Sequence, residues 1–240
     1  ERDDRRGSDP QESERDPREY AERVERAPSL PKGTMERFGG YGVMGLPFVS
    51  GHVLGLRRFT ASSIGPGYTS VWHRDPNGAW TFYADVPPMQ ACTRFFGNEV
   101  ARAVECPIEI SWPEPRRLSV RVEQAEMTWE CELSPTPVTR MMNLMAGAMP
   151  DGLWRNSAVL GVMASMAGPA LRAGKLGMTG VSPNRQRFIA NPMVMWTIPR
   201  AVARLGDVSF GPVGPLREQA RLGDFWIPQR GMFVVGRAFF

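Results

Sequence analysis

Tyr68-Thr69-Ser70-Val71-Trp72-His73-Arg74-Asp75-Pro76-Asn77-Gly78-Ala79-Trp80-Thr81-Phe82-Tyr83-Ala84-Asp85-Val86 is two runs of aromatic and β-branched residues parted by a proline, an asparagine and a glycine. Such runs suit a pleated, half-buried surface. Pro76 presets φ, and Gly78 accepts positive φ behind Asn77. The stretch predicts a β-hairpin with strands over 68–74 and 79–86.

The same texture continues outward. Residues 107–112, 118–123 and 127–133 read as further strands of a meander, with Pro113-Glu114-Pro115 and residues 124–126 as connections. Met127, Trp129, Cys131 and Leu133 alternate with Thr128, Glu130 and Glu132, so one face of that strand is dry and the other wet. Over 137–171 the apolar period lengthens to that of a helix: Val138, Met141, Met142, Met145 and Met149 precede Pro150-Asp151-Gly152, and a second run follows from Leu153. That second run carries no charge from Asn156 to Leu171, yet it is shorter than the roughly 20 residues a bilayer span needs, and Gly161, Gly168 and Pro169 interrupt it. It reads as a well-buried helix. Strands resume over 176–181, 187–190, 193–198, 202–210 and 232–240, and 215–222 reads as a short helix.

About ten strands on either side of one helical block predict an α+β fold, mainly antiparallel. A sheet that long curls or closes into a barrel-like form. The expected organisation is one β-barrel-like domain over 38–240 with a two-helix insertion over 137–172. Residues 1–37 precede it as a charged tail too poor in apolar groups to offset the entropy of ordering. Within that tail, 17–26 has the composition for one or two exposed helical turns.

Of the 25 acidic residues, 11 fall in residues 1–40 against 9 basic ones, leaving 14 acidic and 20 basic in the remainder. That excess is scattered arginine, as in Arg57-Arg58 and Arg116-Arg117, and reads as solvated surface, with no stripe for a nucleic acid. Cys92, Cys106 and Cys131 have neither the number nor the spacing of a metal site or a disulfide framework. They fit buried thiols of a cytoplasmic protein. No nucleotide-binding, hydrolase or kinase signature occurs, and no metal or cofactor is implied.

Candidate site residues come from histidines, loops and methionines. His73 sits at a strand end and titrates near neutrality unaided. The aromatic connection from Asp85 to Glu99 carries Arg94, Phe95 and Phe96, and Asp85, Arg94 and Glu99 meet at a barrel mouth if the loop folds over it. Met141 and Met145 lie in the Met-rich helical block, which lines a cavity if it caps the barrel. Arg187 and Asp224 are further polar groups set among aromatics.

The run over 83–133, with Arg94-Phe95-Phe96-Gly97, and the ending Gly211-Pro212-Val213-Gly214-Pro215-Leu216 before a last strand resemble the acetoacetate-decarboxylase-like superfamily. The resemblance implies that family's β-barrel with a central cavity. It does not imply its decarboxylation, because the Schiff-base lysine would follow the glycine, where Asn98-Glu99-Val100 stands, and Lys175 occupies no matching place. Lipocalin-like barrels offer the same kind of cavity by analogy of architecture alone.

Three readings remain open. The leading one is a protein that holds an apolar or amphipathic small molecule in a barrel cavity beneath the Met-rich helices. The second is a cofactor-independent lyase, hydratase or isomerase using His73 or Asp85 and Glu99 as acid and base, with Arg94 on an oxyanion. The third is an interaction module, docking a partner or a second copy of itself through the apolar helices.

Overall fold

The computed structural model describes residues 16–240. Helix α1 (Pro17–Arg26) leads into strands β1 (Arg37–Pro47), β2 (Val53–Ser62), β3 (Tyr68–Arg74) and β4 (Trp80–Ala84). The short helix α2 (Thr93–Phe96) precedes β5 (Arg102–Glu105), β6 (Glu109–Glu114), β7 (Arg117–Val122) and β8 (Met127–Ser134). Helices α3 (Pro137–Ala148) and α4 (Ser157–Leu171) form the insertion. The chain ends with β9 (Thr179–Val181), β10 (Arg187–Leu205), β11 (Val208–Ser209), the small ribbon β12 (Arg221–Leu222) and β13 (Phe225–Trp226), and β14 (Gly231–Phe239).

Ten strands follow one path in the order β5-β4-β3-β2-β1-β14-β10-β8-β7-β6, curled into a half-barrel, and β9 and β11 pair with β10 beside it. All pairs on the path are antiparallel except β4 with β5. The first and last strands meet in the middle, where β1 joins β14 from Arg37↔Phe239 to Gly45↔Met232. That ladder unites the two strand blocks seen in the sequence.

Side chains alternate between the faces of a strand, and here both faces are buried. One face gathers Tyr41, Leu54, Val71, Leu118, Trp129, Trp196 and Phe233 into a single cluster to which all ten strands contribute, so it is the concave one. The convex face carries Phe38, Phe59, Trp72 and Phe82 under α2 and the β12–β13 ribbon, and Met195, Met232 and Val234 under α3 and α4. At about 25 cal/mol per Å² of apolar area, covering two faces supplies most of the drive for so large a sheet.

The helix expected over 17–26 forms, capped by Asp16 accepting from the Arg18 amide at 2.9 Å. It is docked, not exposed. Ala21 is buried in the concave cluster, and Glu25 accepts from Arg58 Nε at 2.8 Å and Nη2 at 2.9 Å. Of the charged tail expected over 1–37, residues 1–15 lie outside the described residues.

Three local readings need correction. Residues 215–222 are not helical. The backbone of Leu216 is instead held by the Gln229 carboxamide, at 3.0 Å and 2.9 Å. Residues 187–205 are one strand of 19 residues rather than several, bent where its register slips at Pro192/Val194 and Thr197/Arg200. Helix α4 is only half buried: Leu160, Ala164 and Leu171 face the sheet, while Val162 and Met166 are exposed.

The hairpin over 68–84 forms as read. The Gly78 amide donates to the Asp75 carbonyl at 3.0 Å, the Ala79 amide to Asp75 Oδ1 at 2.8 Å, and Gly78 has φ +96°. At the end of the concave core beside this turn, His52 Nδ1 and His73 Nε2 lie 3.0 Å apart, both buried, with the Phe210 ring 3.9 Å from that of His52. Burial, then the neighbouring His52, pulls the pKa of His73 down to about 4.

Gly78→Ala is expected to lower the unfolding free energy in urea by about 1–2 kcal/mol, the cost of a Cβ at left-handed φ. Unchanged stability would mean that the turn relaxes without loss. For His73 the folded pKa lies below the ordinary 6.5. The unfolded chain therefore gains a proton that the fold refuses, so stability is full above that value and falls as the pH drops toward 4. Between about pH 7 and about pH 5 the loss is expected to be about 2 kcal/mol, and His73→Gln should flatten the slope. An equal slope in both proteins would remove the histidine from the account.

Candidate functional site

Arg57 and Arg58 are consecutive in a strand, so they point to opposite faces. Arg58 goes to the concave side and pairs with Glu25. Arg57 goes to the convex side, where it is 6 % exposed, which overturns its reading as solvated surface. The β1–β2 ladder is interrupted there: it pairs Tyr41↔Arg58 and next Leu46↔Leu54, with a register shift between. Gly42 permits the close passage, since a Cβ on it would lie 2.0 Å from the Leu56 carbonyl oxygen. Arg57 Nη1 donates to the carbonyls of Val43 at 2.5 Å and Leu56 at 2.8 Å, and Nη2 to that of Met44 at 3.2 Å.

The guanidinium lies 4.4 Å from the Trp72 ring centroid and 5.6 Å from that of Phe225, both attractive cation–π contacts. No carboxylate among the described residues pairs with it, and burial pulls its pKa down to about 10, which leaves it charged at neutral pH. A guanidinium has five N–H donors. Three are engaged by carbonyls, and the Nε–H and one Nη2–H have no acceptor among the described residues.

Arg57 lines a cavity of about 120 Å³ between the convex face and its cover. Its walls are Met44, Met178, Met195 and Met232, the rings of Trp72, Phe96, Phe188, Phe225 and Phe240, and Ala167 and Leu171 of α4. An apolar cavity of about 150 Å³ admits benzene, so this one suits a molecule of that order. Asn191 also lines it, and its Oδ1 is buried without a hydrogen-bond partner. Arg237 lines it as well and pairs with Asp151 of the α3–α4 connection at 3.6 Å. Cys92 completes the polar set. Its thiol lies 3.3 Å from the Tyr68 hydroxyl and burial pushes its pKa up, the opposite of a poised nucleophile.

This apolar cavity is thus outside the half-barrel, under α4, while the concave side holds one large side-chain cluster. A second, polar cavity of about 410 Å³ opens on the concave side between α1 and β6, with Glu25, Arg58, Tyr41 and Asp85 in its wall. Its charged groups are engaged. Arg58 holds Glu25, Tyr41 donates to Glu25 at 3.0 Å, and Asp85 accepts from the Thr69 amide at 2.7 Å.

Of the residues singled out in the sequence, only Phe96 lines the apolar cavity. Phe95 stacks on Phe240 at 3.9 Å within the core. His73 is in the concave core with His52, and Asp85 is at the polar cavity. Arg94 pairs with Glu36 at 2.6 Å. Glu99 accepts from the Gly223 amide at 3.0 Å, and Asp224 from the Val181 amide at 2.9 Å, both tying down turns. Arg187 is exposed. Met141 and Met145 are exposed on the outer side of α3, and the cavity takes its methionines mainly from strands. The acid, base and oxyanion groups of an enzyme reading therefore do not converge. Among the described residues no cluster of His, Cys, Asp and Glu could hold a metal ion.

Sequence reasoning missed Arg57, Trp72 and Asn191. The available signal was the Arg57-Arg58 dipeptide itself, because period two sends one of two adjacent strand arginines inward whenever both faces are covered.

No protein-family model matches the chain, and no match is found among curated proteins. Among solved structures it is similar to acetoacetate decarboxylase from Legionella pneumophila subsp. pneumophila str. Philadelphia 1, at 11% identity over 88% of this chain and 89% of that one, with a TM-score of 0.36. The likeness is weak.

Proposed function

We propose that the protein binds a small amphipathic carboxylate, with its head on Arg57 and its apolar body among the methionines and rings of the convex-face cavity. The observation that carries this reading is a buried guanidinium with two donors unused and no carboxylate engaged among the described residues. Parallel N–H groups on one guanidinium edge match the two oxygens of a carboxylate. An isolated charge out of water is costly. An anion alongside recovers that cost.

Asn191 adds an acceptor that prefers a ligand donor, as a hydroxy acid or amino acid would supply. The methionines give the walls shape tolerance, so the body of the ligand is selected by size and apolarity. The three buried free thiols accord with a reducing compartment.

Thermal unfolding in benzoate or phenylacetate, set against toluene and benzamide, tests the reading. At a hundredfold excess over Kd a ligand adds about 2.7 kcal/mol, a rise in Tm of about 5–10 °C for a chain of this size. The carboxylates are expected to produce it and the neutral analogues to produce much less. Arg57→Lys, which keeps the charge but loses the paired edge, is expected to weaken carboxylate binding at least tenfold. Equal binding of benzoate and benzamide, or full carboxylate affinity in the lysine variant, would overturn the proposal.

A further inference from the structure

Helix α4 closes the cavity with one side, α3 packs on β10 through Asn143, and both leave an outer side exposed. On that outer side lie Met141, Leu144 and Met145 of α3 and Val162 and Met166 of α4, with Leu144 76 % and Met166 64 % exposed. Every exposed residue of α4 is uncharged, and α3 exposes a single charge, Arg140. A solvent-facing helix surface is ordinarily charged or polar, and contiguous exposed apolar area marks an interaction site.

Charge around this surface is one-sided. From residue 133 to 184, the span that holds both helices, there are four cations and one acid, Asp151, and that acid is paired with Arg237. Arg140, Arg155, Arg172 and Lys175 stand at the helix ends and are exposed. We propose that this face lies on an anionic lipid bilayer, with the apolar side chains in the interface and the helix-end cations on lipid phosphates.

Three observations favour a bilayer over a protein. A second copy docked by the same face would set the same cations against each other. The centre of the face holds no Trp, Tyr or Arg of the kind that anchors protein interfaces, since Trp154 is buried. Its hydroxyl at Ser165 is turned back onto the Val162 carbonyl at 2.8 Å, so it offers no directional contact. A hydrocarbon phase requires none. The mode is lying on the membrane, not crossing it: no helix among the described residues is long and apolar enough to span.

The inference does not depend on the cavity's occupant, and its test needs no ligand. The full chain is sedimented with phosphatidylcholine vesicles, with and without phosphatidylglycerol. Binding is expected only with phosphatidylglycerol and is expected to fall steeply with added salt. Arg140→Gln should weaken it about fivefold, the worth of one cation at an anionic surface. Met166→Glu, at a position too exposed to matter for folding, should weaken it at least tenfold, and its circular dichroism and melting curve should match the parent. Absence of binding to the anionic vesicles would overturn the proposal, as would binding that Met166→Glu leaves intact. Sizing that shows a dimer which Met166→Glu dissolves would assign the face to a second copy instead.

Discussion

Between Tyr41 and Leu46 strand β1 parts from β2, and the carbonyls of Val43, Met44 and Leu56 find their donor in a side chain, Arg57. A buried carbonyl left without a donor costs about 1–3 kcal/mol, so three of them can hold a guanidinium in an apolar layer that would otherwise expel it. Most of the site follows from that one exchange. The charge is fixed beside Trp72 and Phe225, the glycine at 42 keeps the strands close enough for one guanidinium to reach all three oxygens, and the same arginine lines the cavity. A structural duty and the proposed binding duty are compatible because a guanidinium has more N–H groups than the three carbonyls use.

The two faces of the sheet divide the remaining work. On the concave face, charge is neutralised within the protein: Glu25 of α1 meets Arg58, and Tyr41 completes the group. On the convex face Arg57 has no carboxylate partner among the described residues. The same dipeptide thus places a satisfied arginine and an unsatisfied one a single residue apart, and only the second borders a cavity of apolar walls. The larger polar cavity is less suited to bind, because Glu25 and Arg58 hold each other and Asp85 holds the Thr69 amide.

How much of this could be read in the sequence depends on the range of the signal. Local chemistry was legible. The Asp75 to Gly78 turn, the alternation from Met127 to Leu133, and the helical spacing after Pro137 each state their element outright. So was the overall class, because ten strands around one helical block leave few alternatives to a curled sheet. The site was not legible, because it is assembled from pairings far apart in sequence: Gly42 with Leu56, Phe225 over Arg57, and β14 beside both β1 and β10. The loop of Asp85 to Glu99 drew attention for its aromatics, yet those rings pack into the core, and its charges secure Glu36 and a distant turn. Met141 and Met145 misled in the same way. Helical spacing states which methionines share a side, and tertiary structure decides which side meets the sheet.

The helix α4 shows why its sequence is unusual. A helix with one buried side needs apolar residues on only that side, and charge on the other would aid solubility at little cost. Here the run from Asn156 to Leu171 carries no charge at all. Ala167 and Leu171 account for the side that closes the cavity, but nothing in the fold requires Val162 and Met166 to be apolar, since both point away from it. Folding stability therefore explains half of the helix. The uncharged outer half is the part that the proposed anionic bilayer would meet, with the helix-end cations beside it.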